Sequence, residues 1–69
     1  MERNYIDSSM IISIGFKDSI LEIEFKGNGQ IWQYEDVPEY LYHEMMSASS
    51  QGKFWHANIK GQYRESRAN

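Results

Sequence analysis

Lys53, His56, Lys60, Arg64 and Arg67 follow one another at spacings of three or four residues, so one continuous helix would align them along a single face. Phosphate contacts need little more than such a cationic stripe, and Trp55 and Tyr63 beside it could stack on bases. The competing reading is the solvated side of an amphipathic helix whose apolar side is Trp55, Ile59 and Tyr63. Gly61 also weakens the stripe, because it separates the last two arginines from the rest. The charge distribution bears on this choice. Net charge is −3, yet residues 1–49 hold three basic and nine acidic groups while residues 50–69 hold four basic and one acidic. That asymmetry permits a polyanionic partner.

Other chemistry finds no constellation. A nucleophile needs a base held against a Ser, Thr or Cys, and the base needs a third group to orient it. His43 and His56 are the two histidines; each falls on an expected helix, where a surface or boundary role is the ordinary one. Glu22, Glu24 and Glu35 alternate along an expected solvent-facing strand surface, so ordinary carboxylate pKa values are expected of them. A helical metal pair needs ligands at i and i+4; His43 meets Glu39 and Ser47 at that distance, and His56 meets Gly52 and Lys60. Neither is a convincing metal site. Gly27-Asn28-Gly29 is not a phosphate loop, since no Lys-Ser or Lys-Thr pair follows it and no helix begins there. No catalytic residue, cofactor or metal is expected, and an enzyme is disfavoured.

The elements that must position these residues are legible from period and turn chemistry. Sixty-nine residues make one domain, near the lower size limit for unaided folding. There is no cysteine, so neither disulfides nor thiolate metal sites can help, and stability rests on aromatic bulk from two Trp, five Tyr and three Phe. No run approaches the roughly 18 apolar residues of a membrane span, and a cytoplasmic location is expected. Residues 1–8 are polar and expected to be loose; the tail 64–69 is open to three alternatives, a helical continuation, a short edge strand or a frayed end.

Alternation marks Ile12-Ser13-Ile14-Gly15-Phe16 and Leu21-Glu22-Ile23-Glu24-Phe25 as half-buried strands. Two-residue turns at Asp18-Ser19 and Asn28-Gly29 would place Phe16 opposite Leu21, Ile14 opposite Ile23, Ile12 opposite Phe25, Phe25 opposite Trp32 and Ile23 opposite Tyr34. Asp36 three residues before Glu39 reads as an N-cap, with Pro38 in the first turn and Leu41, Met45 and Ala48 at helical spacing. Ser49 or Ser50 would cap a second helix. The expected fold is α+β: a three-stranded antiparallel β-meander (about 10–16, 20–26, 30–35) followed by two helices (about 37–48, 50–60) packed on one face. The other face, with Ser13, Lys17, Glu22, Glu24, Lys26, Gln33 and Glu35 and with Ile11, Ile20 and Ile31 among them, would be open to solvent. Trp32 and Tyr34 then point toward the helices, which argues for core packing over base stacking on an open sheet.

The runs Ser8-Ser9-Met10, Gly15-Phe16, Leu21 to Phe25, Asn28 to Tyr34, Val37-Pro38, Ala48 to Phe54 and Ile59 resemble the KTSC domain family over roughly Ser8 to Tyr63. That family is named for its occurrence at the C-terminus of some lysyl-tRNA synthetases, and it includes small stand-alone bacterial and phage proteins. This chain departs from the usual pattern at Trp32, where tyrosine is common, and at Trp55-His56, where an aromatic residue followed by asparagine is common. The resemblance brings no catalytic residues. It suggests RNA binding by association with the synthetase, which is not a mechanism. The expected function is therefore a non-catalytic binding module, with RNA or another nucleic acid held by Lys53, His56, Lys60, Arg64 and Arg67. The alternative is a protein-interaction domain using the open sheet face or an edge strand.

Overall fold

The structure, a computed structural model, describes all 69 residues. The elements run β1 (Asn4–Tyr5), β2 (Ile11–Lys17), β3 (Ile20–Phe25), β4 (Ile31–Tyr34), α1 (Glu39–Ser47), α2 (Gln51–Asn58) and β5 (Glu65–Arg67). The strands form one antiparallel sheet in the order β1-β2-β3-β4-β5. The expected three-stranded meander is thus the middle of a five-stranded sheet. Residues 1–8, expected to be loose, and the tail 64–69, for which a short edge strand is one of three alternatives, each supply an edge strand. Both are too short and too polar to announce themselves by alternation, and it is pairing with a long neighbour that makes them strands.

The first turn forms as its residues dictate. Asp18 and Ser19 take φ of 53° and 66°, the left-handed pair a two-residue type I′ hairpin needs. Phe16 pairs with Leu21 and Ile14 with Ile23, as alternation predicts. Farther from the turn a β-bulge at Ile12 brings Ile11, not Ile12, opposite Phe25. Ile11 is consequently fully buried and leaves the face on which strict alternation places it.

The second turn is longer than expected. The Phe25 N–H donates to the Gln30 carbonyl at 2.9 Å, enclosing the four residues Lys26 to Gly29. Gly27 and Gly29 both adopt positive φ, and the Asn28 side chain accepts from the Gln30 N–H at 2.9 Å. Asn28 therefore serves as a side-chain turn residue and not as the first residue of a tight hairpin. The register moves by two: Ile23 lies opposite Trp32 and Leu21 opposite Tyr34. A shift of two keeps every side chain on its face, so Trp32 and Tyr34 still point toward the helices.

α1 begins later than predicted. Asp36 sits at φ 58° in a turn and does not cap; Pro38 holds the N-cap position with no side-chain hydrogen bond. The Val37 N–H instead donates to the Ser19 carbonyl at 2.9 Å, tying this corner to the first hairpin. Leu41 and Met45 face the sheet, and Tyr42 stacks on Phe16 of β2 with ring centroids 5.1 Å apart. α2 starts where Ser50 accepts the Lys53 N–H at 3.2 Å. It rests on β3 through Trp55, whose ring meets Phe25 edge-on at 4.9 Å. Ile11, Ile14, Leu21, Ile23, Tyr34, Val37, Leu41, Met45 and Ile59 form the core between the sheet and the two helices. Full burial of each of its aliphatic side chains contributes about 1.5–3 kcal/mol.

The face away from the helices is not open. The N-terminal segment crosses it, and Gly15 marks the crossing: a Cβ there would lie 2.4 Å from the Glu2 carbonyl oxygen and 2.9 Å from Arg3 Cγ. Only glycine lets the backbone approach so closely. Ser13 and Glu22, expected at the solvent face, are buried beneath this segment.

Candidate functional site

Two polar or aromatic arrangements stand out, one on each side of the sheet. On the outer side the Arg3 guanidinium donates to Ser13 Oγ at 2.9 Å and to Glu22, and lies 3.7 Å from Glu24. Ser13 in turn donates to Glu24 at 2.9 Å, and the Gln33 amide donates to Glu22 at 2.8 Å. Burial alone would push the Glu22 carboxyl up. Hydrogen bonds from Gln33 and Arg3, together with the Arg3 charge, outweigh it and hold Glu22 below the usual carboxylate value. This corrects the ordinary pKa expected of an exposed strand glutamate. No buried side-chain polar atom here lacks a partner, so the network reads as a clasp that fastens the N-terminal segment to the sheet.

On the helix side, β4, β5, the end of β3 and α2 enclose a cleft of about 370 Å³. Phe25, Trp32, Tyr34, Trp55 and Met10 wall it, and Lys26, Asn28, Gln30 and Glu65 ring its mouth. Both tryptophans are only half-buried. Their indole N–H groups are already used: Trp32 donates to Gln30 Oε1 at 3.1 Å and Trp55 to the Tyr34 hydroxyl at 3.0 Å. What the walls present to the cleft is therefore π surface. Lys60 Nζ sits 5.5 Å from the centroid of the Trp55 ring, a cation–π distance.

Tyr34, 1% exposed, is the buried base of this site. Burial pushes its phenol up to about 12; donation from Trp55 opposes the shift, and the nearby Glu65 carboxylate adds to it by its charge and by its hydrogen bond with the phenol. Because the folded state holds this proton more tightly than the unfolded one, the associated stability is present below pH 10 and is lost as pH rises toward 12. Alkaline difference spectroscopy should find one tyrosine ionising near pH 12. Unfolding free energies from urea denaturation should fall between pH 10 and 12, by about 3 kcal/mol in total. A Tyr34→Phe variant should lack both the late-ionising group and that part of the alkaline loss.

The five residues expected on one helical stripe are distributed over three elements. Lys53 and His56 are exposed on α2. The helix ends at Asn58, and Gly61 follows at φ 76°, so Lys60 lies in the turn. Arg64 sits just before β5 with Nε 3.9 Å from Glu35, and Arg67 lies within β5 opposite Trp32. No continuous helical stripe forms, because the chain folds back after Gly61 to pair with β4. That same return brings Lys60 and Arg67 beside the aromatic cleft. The cleft itself escapes sequence reasoning, which assigns Trp32 to the core and offers Trp55 either as a stacking ring beside a helical stripe or as the helix's apolar side. The signal that could have raised it is Gln30-Ile31-Trp32: residues two apart on a strand share a face, and a polar Gln30 sits beside the Trp32 ring.

A five-stranded antiparallel sheet with two helices on one face defines a small α+β domain. A family model of the KTSC domain matches residues 7–63, and the chain belongs to that family. An uncharacterized protein of Stutzerimonas stutzeri (strain A1501) is 32% identical over 65 residues, covering 91% of this chain and 90% of its own. The crystal structure of a KTSC domain protein from Yersinia pestis matches with a TM-score of 0.93 and 38% identity, covering 99% of this chain and 97% of that one. No helix is long and apolar enough to cross a membrane.

Proposed function

We propose that this chain is a non-catalytic binding module for single-stranded nucleic acid, with the aromatic cleft and its cationic surround as the binding surface. One observation supports this most: unpaired cations gather around exposed tryptophan faces in a chain that is otherwise acidic. The ion pairs engage Arg3, His43 and Arg64. Lys26 at the cleft mouth, Lys60 over Trp55 and Arg67 opposite Trp32 are left without a carboxylate partner. Arg67 and Trp32 are cross-strand neighbours, so their side chains leave the sheet on the same side. Stacking platforms flanked by backbone-tracking cations are the usual means of holding single strands without reading a duplex. Lys53 and His56 are exposed elsewhere on α2 and do not line the cleft.

The test is a fluorescence-anisotropy titration of labelled single-stranded RNA and DNA of about a dozen nucleotides, between about 50 and about 200 mM salt. Wild type should bind at low salt and weaken as salt rises. A Lys26→Glu, Lys60→Glu, Arg67→Glu variant should lose at least about tenfold in affinity. The pair Lys53→Glu, Arg64→Glu should lose less, since Arg64 already faces Glu35. Absence of binding at low salt, or an unchanged triple variant, sinks the reading. A second reading, docking of a protein strand, is favoured by Tyr5, 81% exposed on the sheet's edge strand β1. Co-purification that survives nuclease and is abolished by Tyr5→Ala would support it instead.

A further inference from the structure

We infer that the cleft holds one unpaired guanine base, selected by Glu65. The inference rests on the single-strand reading above and names what that site recognises. The walls supply stacking that is blind to base identity, because both indole N–H groups are spent within the protein. Discrimination must come from the mouth of the cleft.

Glu65 is the one anionic side chain among the residues lining the cleft. It lies on β5 opposite Tyr34, whose phenol engages one carboxylate oxygen, and it forms no ion pair; each of its oxygens keeps a lone pair to offer a ligand. An ionised carboxylate can only accept hydrogen bonds. Guanine is the base whose Watson–Crick edge offers two adjacent donors, the N1–H and the exocyclic N2 amino group. In adenine and cytosine the amino donor sits beside a ring-nitrogen acceptor, and in uracil the N3–H lies between two carbonyls. Each of those edges would set a lone pair against one carboxylate oxygen. The remaining guanine acceptor, O6, calls for a donor, and the mouth has three. Gln30 has its amide oxygen engaged by Trp32 and Asn28 its amide oxygen engaged by the Gln30 N–H, which leaves both NH₂ groups free. Lys26 is the third.

An organic cation is the other ligand that aromatic walls and one carboxylate would suit. The charges around the cleft oppose it: Lys26 stands at the mouth, Arg67 is paired opposite Trp32, and Lys60 already occupies a cation–π position on Trp55. Those same cations complement the phosphates flanking a base.

The experiment titrates the full chain with short oligouridines carrying one central G, A, C or U, following tryptophan fluorescence and anisotropy. The G strand should bind at least about fivefold more tightly than the A or U strand. In Glu65→Gln the carboxamide presents one acceptor beside one donor, the pattern adenine complements. The G-over-A preference should therefore vanish or invert. Glu65 is exposed on a short edge strand, and thermal melting of the variant should match wild type. Equal affinity for G and A strands in wild type overturns the inference and leaves the single-strand reading standing, and so does a preference that survives in Glu65→Gln. If no strand binds, both fall together. If tetramethylammonium quenches the tryptophans as strongly as guanosine monophosphate, the cleft is an organic-cation site and the inference is overturned.

Discussion

Replacing Arg3 with methionine should destabilise the fold by about 2–3 kcal/mol at neutral pH, measured by urea denaturation. The magnitude follows from where the pair sits. The Arg3 side chain is 25% exposed and that of Glu22 only 7%, which places the pair between a surface ion pair, worth under about 1 kcal/mol, and a fully buried one. Methionine keeps the stem that lies against Gly15 but removes the donors to Ser13 and Glu22, so a buried carboxylate keeps only Gln33. The pH dependence has a definite sign. Glu22 has its folded pKa below the ordinary 4.5, so its contribution is complete above that value and is lost as pH falls through the folded pKa. The gap between wild type and Arg3→Met should therefore be widest at neutral pH and close on acidification below about 4.5. A gap independent of pH would mean that Arg3 acts by packing alone. Glu22→Gln combined with Arg3→Met should be less damaging than the two single costs added together, because the two residues act through one interaction.

Replacing Trp55 with alanine should cost about 2–4 kcal/mol, a large part of the roughly 3–10 kcal/mol that holds a domain of this length together. Three contacts are lost at once: the edge-on packing against Phe25, the donation to the Tyr34 hydroxyl, and the seat of Lys60. The melting temperature should fall by at least about 8 °C. Trp55→Phe separates the ring packing from the hydrogen bond. It keeps a ring near Phe25 and loses the N–H, so its cost should be about 1 kcal/mol. The Trp55 donation favours the Tyr34 phenolate, so its removal should move Tyr34 ionisation further up from about 12. If Trp55→Phe and Trp55→Ala cost the same, the indole N–H would carry nearly all of the stabilisation and ring packing would be negligible. If the Tyr34 titration does not move, the hydrogen bond between Trp55 and Tyr34 does not persist in solution.

Much of this architecture is written in short-range chemistry. Asp18-Ser19 reads as a tight turn because both residues tolerate the left-handed region, and the pairings nearest that turn form as predicted. Ser50 caps α2, Gly61 follows its end at positive φ, and Leu41 and Met45 lie on the buried side of α1 at helical spacing. The side chains of Trp32 and Tyr34 face the helices, since parity along a strand survives a two-residue change of register. Local signals mislead where two solutions have similar local energy. Asn28-Gly29 could close a two-residue hairpin, yet Gly27 supplies another positive-φ position and the loop spans four residues. Asp36 could cap a helix, yet tying Val37 to Ser19 takes Asp36 into a turn.

The sequence by itself determined which residues are strand, turn and helix in the middle of the chain, and which face of the sheet is apolar. Tertiary structure alone decided what lies on the edges and the outer face. β1 and β5 are too short to form unless β2 and β4 are already in place to pair with them. Arg3 finds Glu22, nineteen residues away, because the segment leading into β1 lies across Gly15. The candidate site has the same origin. A helical stripe from Lys53 to Arg67 was the local expectation for the cations. The chain's return as β5 instead sets Arg67 and Glu65 opposite Trp32 and Tyr34. Residues distant in sequence thereby enclose one aromatic cleft, and no spacing rule reports a neighbour that arrives by folding back.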